Sequence, residues 1–271
     1  MKKKIIFFDI DGTLVNFDGS IEESTKEALQ LLKENEHLRF ICTGRTKSML
    51  PKNIIALDFD GYVLGGGTHV EYQNEDLYYH EINSEELQKT IEILQEYNSL
   101  FTLEGKDYLY VEKEAFSDER PYFGSFIKSM GKIVKPIEDI CEYHVSKITF
   151  FVPPEEQRQM SKIVEKLESN YQVIVHESTE KNALTNGLVE LVPLHCDKST
   201  GIMKCIEHLN IPREDTFALG DSNNDLQMLT YVKNAICMGN GNDSAKEVAD
   251  YITGSIDENG VYDGLKHFGL I

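Results

Sequence analysis

Short apolar runs alternate along the chain with longer stretches whose apolar residues recur at helical spacing. Ile5 to Phe8 is uninterrupted apolar sequence, too short for a helix core, and reads as a strand buried on both faces at the centre of a parallel sheet. Ile21 to Asn35 carries Ala28, Leu29, Leu31 and Leu32 on one helical face, with Ser20 as the cap. Leu38 to Cys42 predicts a second buried strand. Tyr62 to Leu64 predicts a third, running into Gly65-Gly66-Gly67, and Val70 to Tyr79 reads as a hairpin. From Asn83 the character changes. Ser84 to Tyr97 is an amphipathic helix, followed by paired strands at Leu100 to Leu103 and Tyr108 to Val111, across Glu104-Gly105-Lys106-Asp107. A helix near Glu119 to Met130 and a strand from Ile148 to Val152 come next, and Pro153-Pro154 stops that strand. Glu155 to Glu168 predicts a helix with an acidic first turn, and Tyr171 to Val175 and Leu188 to Val192 predict strands. The α/β rhythm then returns, with a helix from Ser199 to Leu209 and a strand from Thr216 to Leu219.

This order predicts an α/β protein: a doubly wound, Rossmann-like parallel-sheet core built from residues 1–82 and 191–271, interrupted by an inserted α+β domain at 83–190. Within the insert a helix-strand-strand grouping occurs twice.

Composition narrows the partners. A formal net charge of −19 over 271 residues opposes binding to nucleic acid or to an anionic membrane, since either contact needs clustered Lys and Arg. It leaves small phosphorylated ligands open, because these need a local cation only. The five cysteines are scattered and include no Cys-x-x-Cys, which fits buried thiols in a reducing cytoplasm. Met1-Lys2-Lys3-Lys4 resembles the start of a signal peptide, but the apolar run after it meets Asp9 after four residues. No stretch approaches transmembrane length. A cytoplasmic location is the expectation; the sequence carries no signal for oligomeric state.

Four stretches at strand ends carry candidate chemistry, where ligands of open α/β sheets bind. The first is Asp9-Ile10-Asp11-Gly12. An Asp-Gly turn would account for Asp11, but turn chemistry does not require an acid at Asp9. Two acids so placed need a cation or a proton to coexist. The second is Thr43-Gly44, whose hydroxyl and backbone amide suit phosphate oxygens at a helix N-terminus; alone it reads more simply as a cap with a turn glycine. The third is Lys198, just before a helix, where an isolated lysine would be taken as solvated. The fourth is Gly220-Asp221-Ser222-Asn223-Asn224-Asp225. A polar turn would explain it, yet two acids and two amides after a glycine also make an oxygen-donor nest for a hard cation.

Together these stretches resemble the haloacid dehalogenase (HAD) superfamily of phosphotransferases, and within it the Cof-type phosphatases with a type-two cap. Phe7 to Leu14 resembles the first motif of that family, Cys42-Thr43-Gly44-Arg45 the second, Lys198 the third and Gly220 to Leu229 the fourth. Met238-Gly239-Asn240 and Ala249 to Thr253 resemble its closing segment. The chain departs from the family at Gly66-Gly67-Thr68, where Asn-Gly-Ala is frequent, and at Pro193 to Asp197 before the lysine. The resemblance implies a phosphatase that releases phosphate from small phosphorylated metabolites, sugar phosphates or phosphorylated cofactors, through an aspartyl-phosphate. It implies Asp9 as nucleophile, Asp11 as proton donor and acceptor, and Mg²⁺ held by Asp9, the Asp11 carbonyl and Asp221. Lys198, Thr43, Gly44, the Ile10 amide and Asn224 would hold the phosphoryl group, and Asp225 would support Lys198 or the metal shell. The insert would be a cap that closes over the site and selects the substrate, with the Gly65-Gly66-Gly67 turn approaching the cap or the ligand. A phosphomutase of the same superfamily and a non-catalytic phosphometabolite-binding protein are the alternatives.

Other motifs do not assemble. Lys198-Ser199 lacks a preceding Gly-x-x-x-x-Gly, and Gly239-x-Gly241 does not open the first βαβ unit. The eight histidines show no His-x-x-x-His or Glu-linked pairing of the kind that suggests zinc. Tyr78-Tyr79 and Tyr108 to Tyr110 read as packing residues.

Overall fold

All four residues of β1, Ile5–Phe8, are buried, because parallel neighbours on both sides and helices on both faces leave such a strand no wet face. The computed structural model describes residues 2–117, 123–152, 158–175 and 187–271, the side chains of Ser117 and Cys141 apart. After β1 come α1 (Glu23–Glu34), β2 (Leu38–Cys42), a 3₁₀ turn at Lys47–Met49, α2 (Lys52–Ile55), β3 (Gly61–Leu64), β4 (His69–Tyr72) and β5 (Glu75–Tyr79). The middle of the chain forms α3 (Ser84–Glu96), β6 (Leu100–Gly105), β7 (Leu109–Val111), α4 (Phe123–Met130), β8 (Val134–Pro136), β9 (Val145–Phe151), α5 (Met160–Leu167), β10 (Tyr171–Val175) and β11 (Leu188–Pro193). The last part adds α6 (Lys198–His208), β12 (Thr216–Gly220), α7 (Leu226–Tyr231), β13 (Asn234–Cys237), α8 (Asp243–Val248), β14 (Tyr251–Ile252) and α9 (Gly260–His267).

The chain divides into two compact units. The first comprises Met1–Arg45, Pro51–Tyr79 and Asp197–Ile271; the second comprises Thr46–Leu50 and His80–Cys196. The second unit is therefore wider than the expected 83–190 segment at both ends and takes in the short piece after Arg45. In the first unit the sheet order is β14-β13-β12-β1-β2-β3-β4-β5, parallel from β14 to β3, with β4 and β5 antiparallel at one edge. The chain order reverses between β1 and β12, and that switch point is where an open α/β sheet forms a crevice at its carboxyl ends. Beneath it, Phe7, Phe40, Val63, Ile202 and Cys205 pack in one apolar cluster. The second unit has its own sheet, ordered β10-β11-β9-β6-β7-β8, with a core that includes Leu87, Phe101, Ile148 and Tyr171.

Several local expectations change. Ser20 does not cap α1: its hydroxyl donates to Asp18 Oδ1 at 2.6 Å, and Glu22 stands at the cap position without a side-chain capping bond. Asn83 does cap α3, accepting from the Glu86 amide at 3.0 Å. No helix starts at Thr43-Gly44. The chain bends there, and the first helical turn is the 3₁₀ segment at Lys47. The start of the helix expected near Glu119, the Pro153-Pro154 stop and the acidic Glu155-Glu156 turn lie outside the described residues; α4 and α5 account for the remainder of those two helices. Cys42, Cys196, Cys205 and Cys237 are buried thiols. Among the described residues, no helix is long and apolar enough to cross a membrane.

Candidate active site

Asp9 is fixed by its backbone before its side chain does anything. Its amide donates to the Leu219 carbonyl at 3.0 Å, adding one rung to the β1–β12 ladder. The chain then folds back on itself, with the Leu14 and Val15 amides donating to the Ile10 carbonyl at 2.9 and 2.8 Å. Gly12 sits in this turn at φ +84°, where a Cβ would lie 2.5 Å from Asp221 Oδ2. The glycine thus supplies the backbone conformation and also the room for the acid of the fourth motif. Asn240 pins the turn from below: its amide nitrogen donates to the Gly12 carbonyl at 2.8 Å and its oxygen accepts from the Ile256 amide at 2.9 Å.

Lys198 reaches the same place from α6. Asp197 and Thr200 form a capping box, with Asp197 Oδ1 accepting from the Thr200 amide at 2.8 Å and Thr200 Oγ1 accepting from the Asp197 amide at 2.9 Å. The helix therefore begins at Lys198 itself. Gly67, at φ +94°, lies so close that a Cβ would be 1.9 Å from the Asp197 carbonyl oxygen. Within the first unit, the glycine turn thus serves the seating of α6. Lys198 is 3% exposed, contrary to the default for a lysine, and its ammonium donates to Asp9 Oδ1 and Asp225 Oδ1, each at 2.5 Å. Asn224 Oδ1 is 3.5 Å away.

Asp225 is a builder of the loop after β12. Its Oδ2 accepts from the Asp221 and Ser222 amides at 2.9 and 3.0 Å, while Oδ1 takes Lys198. Ser222 and Asp225 form a capping box on the turn that comes next. Asp221 receives a long bond, 3.4 Å, from the Thr13 hydroxyl, and its carbonyl accepts from the Asn242 amide at 2.9 Å. Asp9, Asp221 and Asp225 each offer an oxygen within 4.8 Å of the others.

Three acids share one lysine, and their proton affinities reflect it. Burial, then the Asp225 charge, raises Asp9 well above the usual carboxylate range, with Lys198 opposing. Asp221 is pushed up to about 7 by burial first and Asp225 second. For Lys198, burial favours the neutral amine, but the Asp225 and Asp9 carboxylates outweigh it and the net direction is upward. Asp225 already has its partners. Asp9 and Asp221 are the under-compensated acids, and a hard divalent cation with oxygen ligands fits them.

Asp11 stands apart from that cluster. Its carboxylate is gripped by the Arg45 fork, with Nε to Oδ2 and Nη2 to Oδ1 each at 2.8 Å. Thr43 is 2% exposed; its hydroxyl accepts from the Arg45 amide at 3.2 Å, and its carbonyl accepts from Gly66 at 3.0 Å. The bend after β2, with no helix terminus, thus orients Thr43 and Gly44. Arg45, Thr13, Ser222, Asn240 and Asn242 were given no role from sequence. The Ser-x-x-Asp spacing of 222–225 was a readable capping signal; the other four depend on contacts across the chain.

A buried carboxylate beside a buried ammonium, with a second acid held at the rim, suits phosphoryl transfer, in which positioning and charge neutralisation do the catalysis. Fold and site together define a phosphatase with an α/β core. The chain belongs to the haloacid dehalogenase-like hydrolases, whose family profile matches residues 6–265. It is of the Cof type. YkrA of Bacillus subtilis is 27% identical over 274 residues, covering 100% of both chains. The Bacillus subtilis 5-amino-6-(5-phospho-D-ribitylamino)uracil phosphatase YitU is 25% identical over 272 residues, covering 98% of each. Among solved structures, the HAD subclass IIB sugar phosphatase BT4131 superposes with a TM-score of 0.80 at 25% identity, over 99% of this chain and 100% of that one.

Proposed function

We propose that the protein is a Mg²⁺-dependent phosphatase of small phosphorylated metabolites, sugar phosphates or phosphorylated cofactors, working through an aspartyl-phosphate on Asp9. The placement of Asp9, buried at the end of β1 between Lys198 and the Asp221 loop, carries this reading. An Asp9 oxygen attacks phosphorus, the bond from phosphorus to the leaving oxygen breaks, and Asp11 gives that oxygen its proton. Water then attacks the phosphorus, Asp11 takes the water proton, and the Asp9–phosphorus bond breaks to release inorganic phosphate. Lys198, Thr43, Gly44, the Ile10 amide and Asn224 hold the phosphoryl oxygens, and Asp225 holds Lys198. Asp9, Asp221 and the Asp11 carbonyl would hold Mg²⁺, which when bound supplies positive charge against the phosphoryl oxygens. These groups recognise only the phosphate, so the choice of substrate falls to the inserted unit.

The experiment is a panel of phosphate monoesters assayed for inorganic phosphate, with Mg²⁺ and with EDTA. Release from some members without any bisphosphate activator, abolished reversibly by EDTA, is expected. EDTA-insensitive turnover, or phosphate release from none, would overturn the reading; dependence on a bisphosphate would move it to a mutase.

A further inference from the structure

The β4–β5 hairpin, at the sheet edge of the first unit, gathers a second set of metal-competent side chains. His69 and Glu71 lie two apart on β4 and so share one face. Asp76 on β5 pairs directly opposite Glu71, next to a register shift between Val70 and Glu71. His69 Nε2 is 2.7 Å from Asp76 Oδ1 and 3.9 Å from Glu71 Oε2, and the donor atoms of the three residues all fall within 4.8 Å of one another. His69 and Glu71 are 3% and 2% exposed, while the Asp76 side chain is 37% exposed.

Strand pairing makes this cluster, so a search for helical His spacing misses it. Glu71 and Asp76, directly opposite on paired strands, bring two carboxylates to the same face as the His69 ring. The Glu71 charge is felt by its neighbour on β3: Tyr62, paired with Glu71, has its hydroxyl proton held on by burial first and by Glu71 second. One imidazole nitrogen and two carboxylate oxygens are a donor set for a borderline ion, whereas Mg²⁺ prefers oxygen throughout. Metal bonds of about 2.0–2.2 Å put neighbouring donors roughly 3–3.5 Å apart. The observed 2.7 and 3.9 Å separations straddle that spacing, so side-chain shifts of a few tenths of an ångström would form the site.

We propose that His69, Glu71 and Asp76 bind a divalent transition ion of the Zn²⁺ class, with a further position left to water. The ion ties the edge strand β5 to β4 in the last core element before the chain enters the second unit. It is separate from the carboxylates around Asp9 and takes no part in phosphoryl transfer.

The test uses the full chain, stripped with EDTA and held in saturating Mg²⁺, titrated with Zn²⁺ by equilibrium dialysis and elemental analysis. Co²⁺ serves as a spectroscopic probe of the nitrogen-oxygen set. One tight Zn²⁺ equivalent is expected in the wild type and in Asp221→Asn, with binding weakened about tenfold or more in His69→Gln and in Asp76→Asn. Asp76 is partly exposed, so Asp76→Asn should fold even if His69→Gln does not; circular dichroism checks both. Absence of tight Zn²⁺ binding in the wild type, its persistence in both hairpin variants, or its loss in Asp221→Asn would each overturn the proposal.

Discussion

Lys198 Nζ and Asp9 Oδ1 are 2.5 Å apart, and neither side chain is more than 5% exposed. A buried ion pair contributes little net stability against an apolar replacement, but removing one partner strands the other. Lys198→Ala should therefore cost about 3–5 kcal/mol in EDTA, because Asp9 and Asp225 lose their common cation. Mg²⁺ should restore part of that loss by neutralising Asp9. Turnover should fall by orders of magnitude even with Mg²⁺ present. Chemical denaturation with and without Mg²⁺, beside phosphate-release assays, checks both halves; near-normal turnover would free Lys198 from its assigned role.

Asp9 and Asp11 should separate by what each loses. On the proposed mechanism Asp9→Asn removes both nucleophile and metal ligand, so turnover and Mg²⁺ affinity should drop together. Asp11→Asn removes the proton carrier of the proposed mechanism but keeps the backbone carbonyl, and the Asp11 side chain is bonded to Arg45. Its Mg²⁺ affinity should stay close to wild type while turnover collapses. Calorimetric Mg²⁺ titration of both variants is the measurement, and a proportional fall of affinity and rate in Asp11→Asn would refute the division of labour.

Much of this site was legible because its parts are strand ends. The uninterrupted apolar run at Ile5–Phe8 and the strand-like Thr216–Leu219 located β1 and β12, and the acids just beyond each stand where the ligands of such a sheet bind. The hidden part is set by contacts distant in sequence. Nothing local shows that Asn240 would hold the Gly12 carbonyl, 228 positions away, or that Arg45 would clasp Asp11. Short or edge elements such as β8, β13 and β14 carry two to four residues each, too few for a periodicity to emerge. The helix start expected at Thr43-Gly44 is absent because a Thr-Gly pair signals a turn as readily as a helix start, and here the bend is closed by Gly66 on Thr43.

The glycine turn after β3 yields a sharper expectation than its sequence did. Gly67→Ala places a methyl against the Asp197 carbonyl and forces an L-residue to hold φ +94°. The variant should lose more than about 1 kcal/mol of stability. Because Asp197 opens the helix that carries Lys198, kcat should also fall, by about a hundredfold if the ammonium moves by about 1 Å. Gly19→Ala, at φ +85° with open space around its Cβ, is the control for backbone strain alone. Equal effects of the two substitutions on kcat would show that the contact with Asp197 does not position Lys198.

Selectivity should travel with the inserted unit. On the proposed mechanism the groups around Asp9 contact only the phosphoryl oxygens common to every candidate substrate, so they would not rank monoesters. Replacing residues 80–196 with the corresponding segment of a relative should change the preferred monoester while Mg²⁺ dependence and the requirement for Asp9 persist. A folded chimera with an unchanged substrate ranking would place selectivity in the first unit.

Metal affinity and stability should be linked through pH, with a sign set by Asp9 and Asp221. Asp221 is raised from 3.8 to about 7 and Asp9 is raised too, both chiefly by burial. A carboxyl whose folded pKa exceeds its unfolded value contributes stability that is complete below the unfolded pKa and lost as pH rises through the folded one. The metal-free protein should therefore weaken as pH rises from about 4 to about 7. With Asp9 and Asp221 as its proposed ligands, Mg²⁺ would need both groups ionised, so its affinity should move the opposite way, falling as pH drops below about 7. The shift in Tm between Mg²⁺ and EDTA should then widen steadily from about pH 5.5 to about 8. In Asp221→Asn the slope should shrink, because one of the two competing protons is gone. Melting curves at fixed free Mg²⁺ across that range are sufficient, and a Tm shift that is flat with pH would show that these carboxyls are not the metal's ligands.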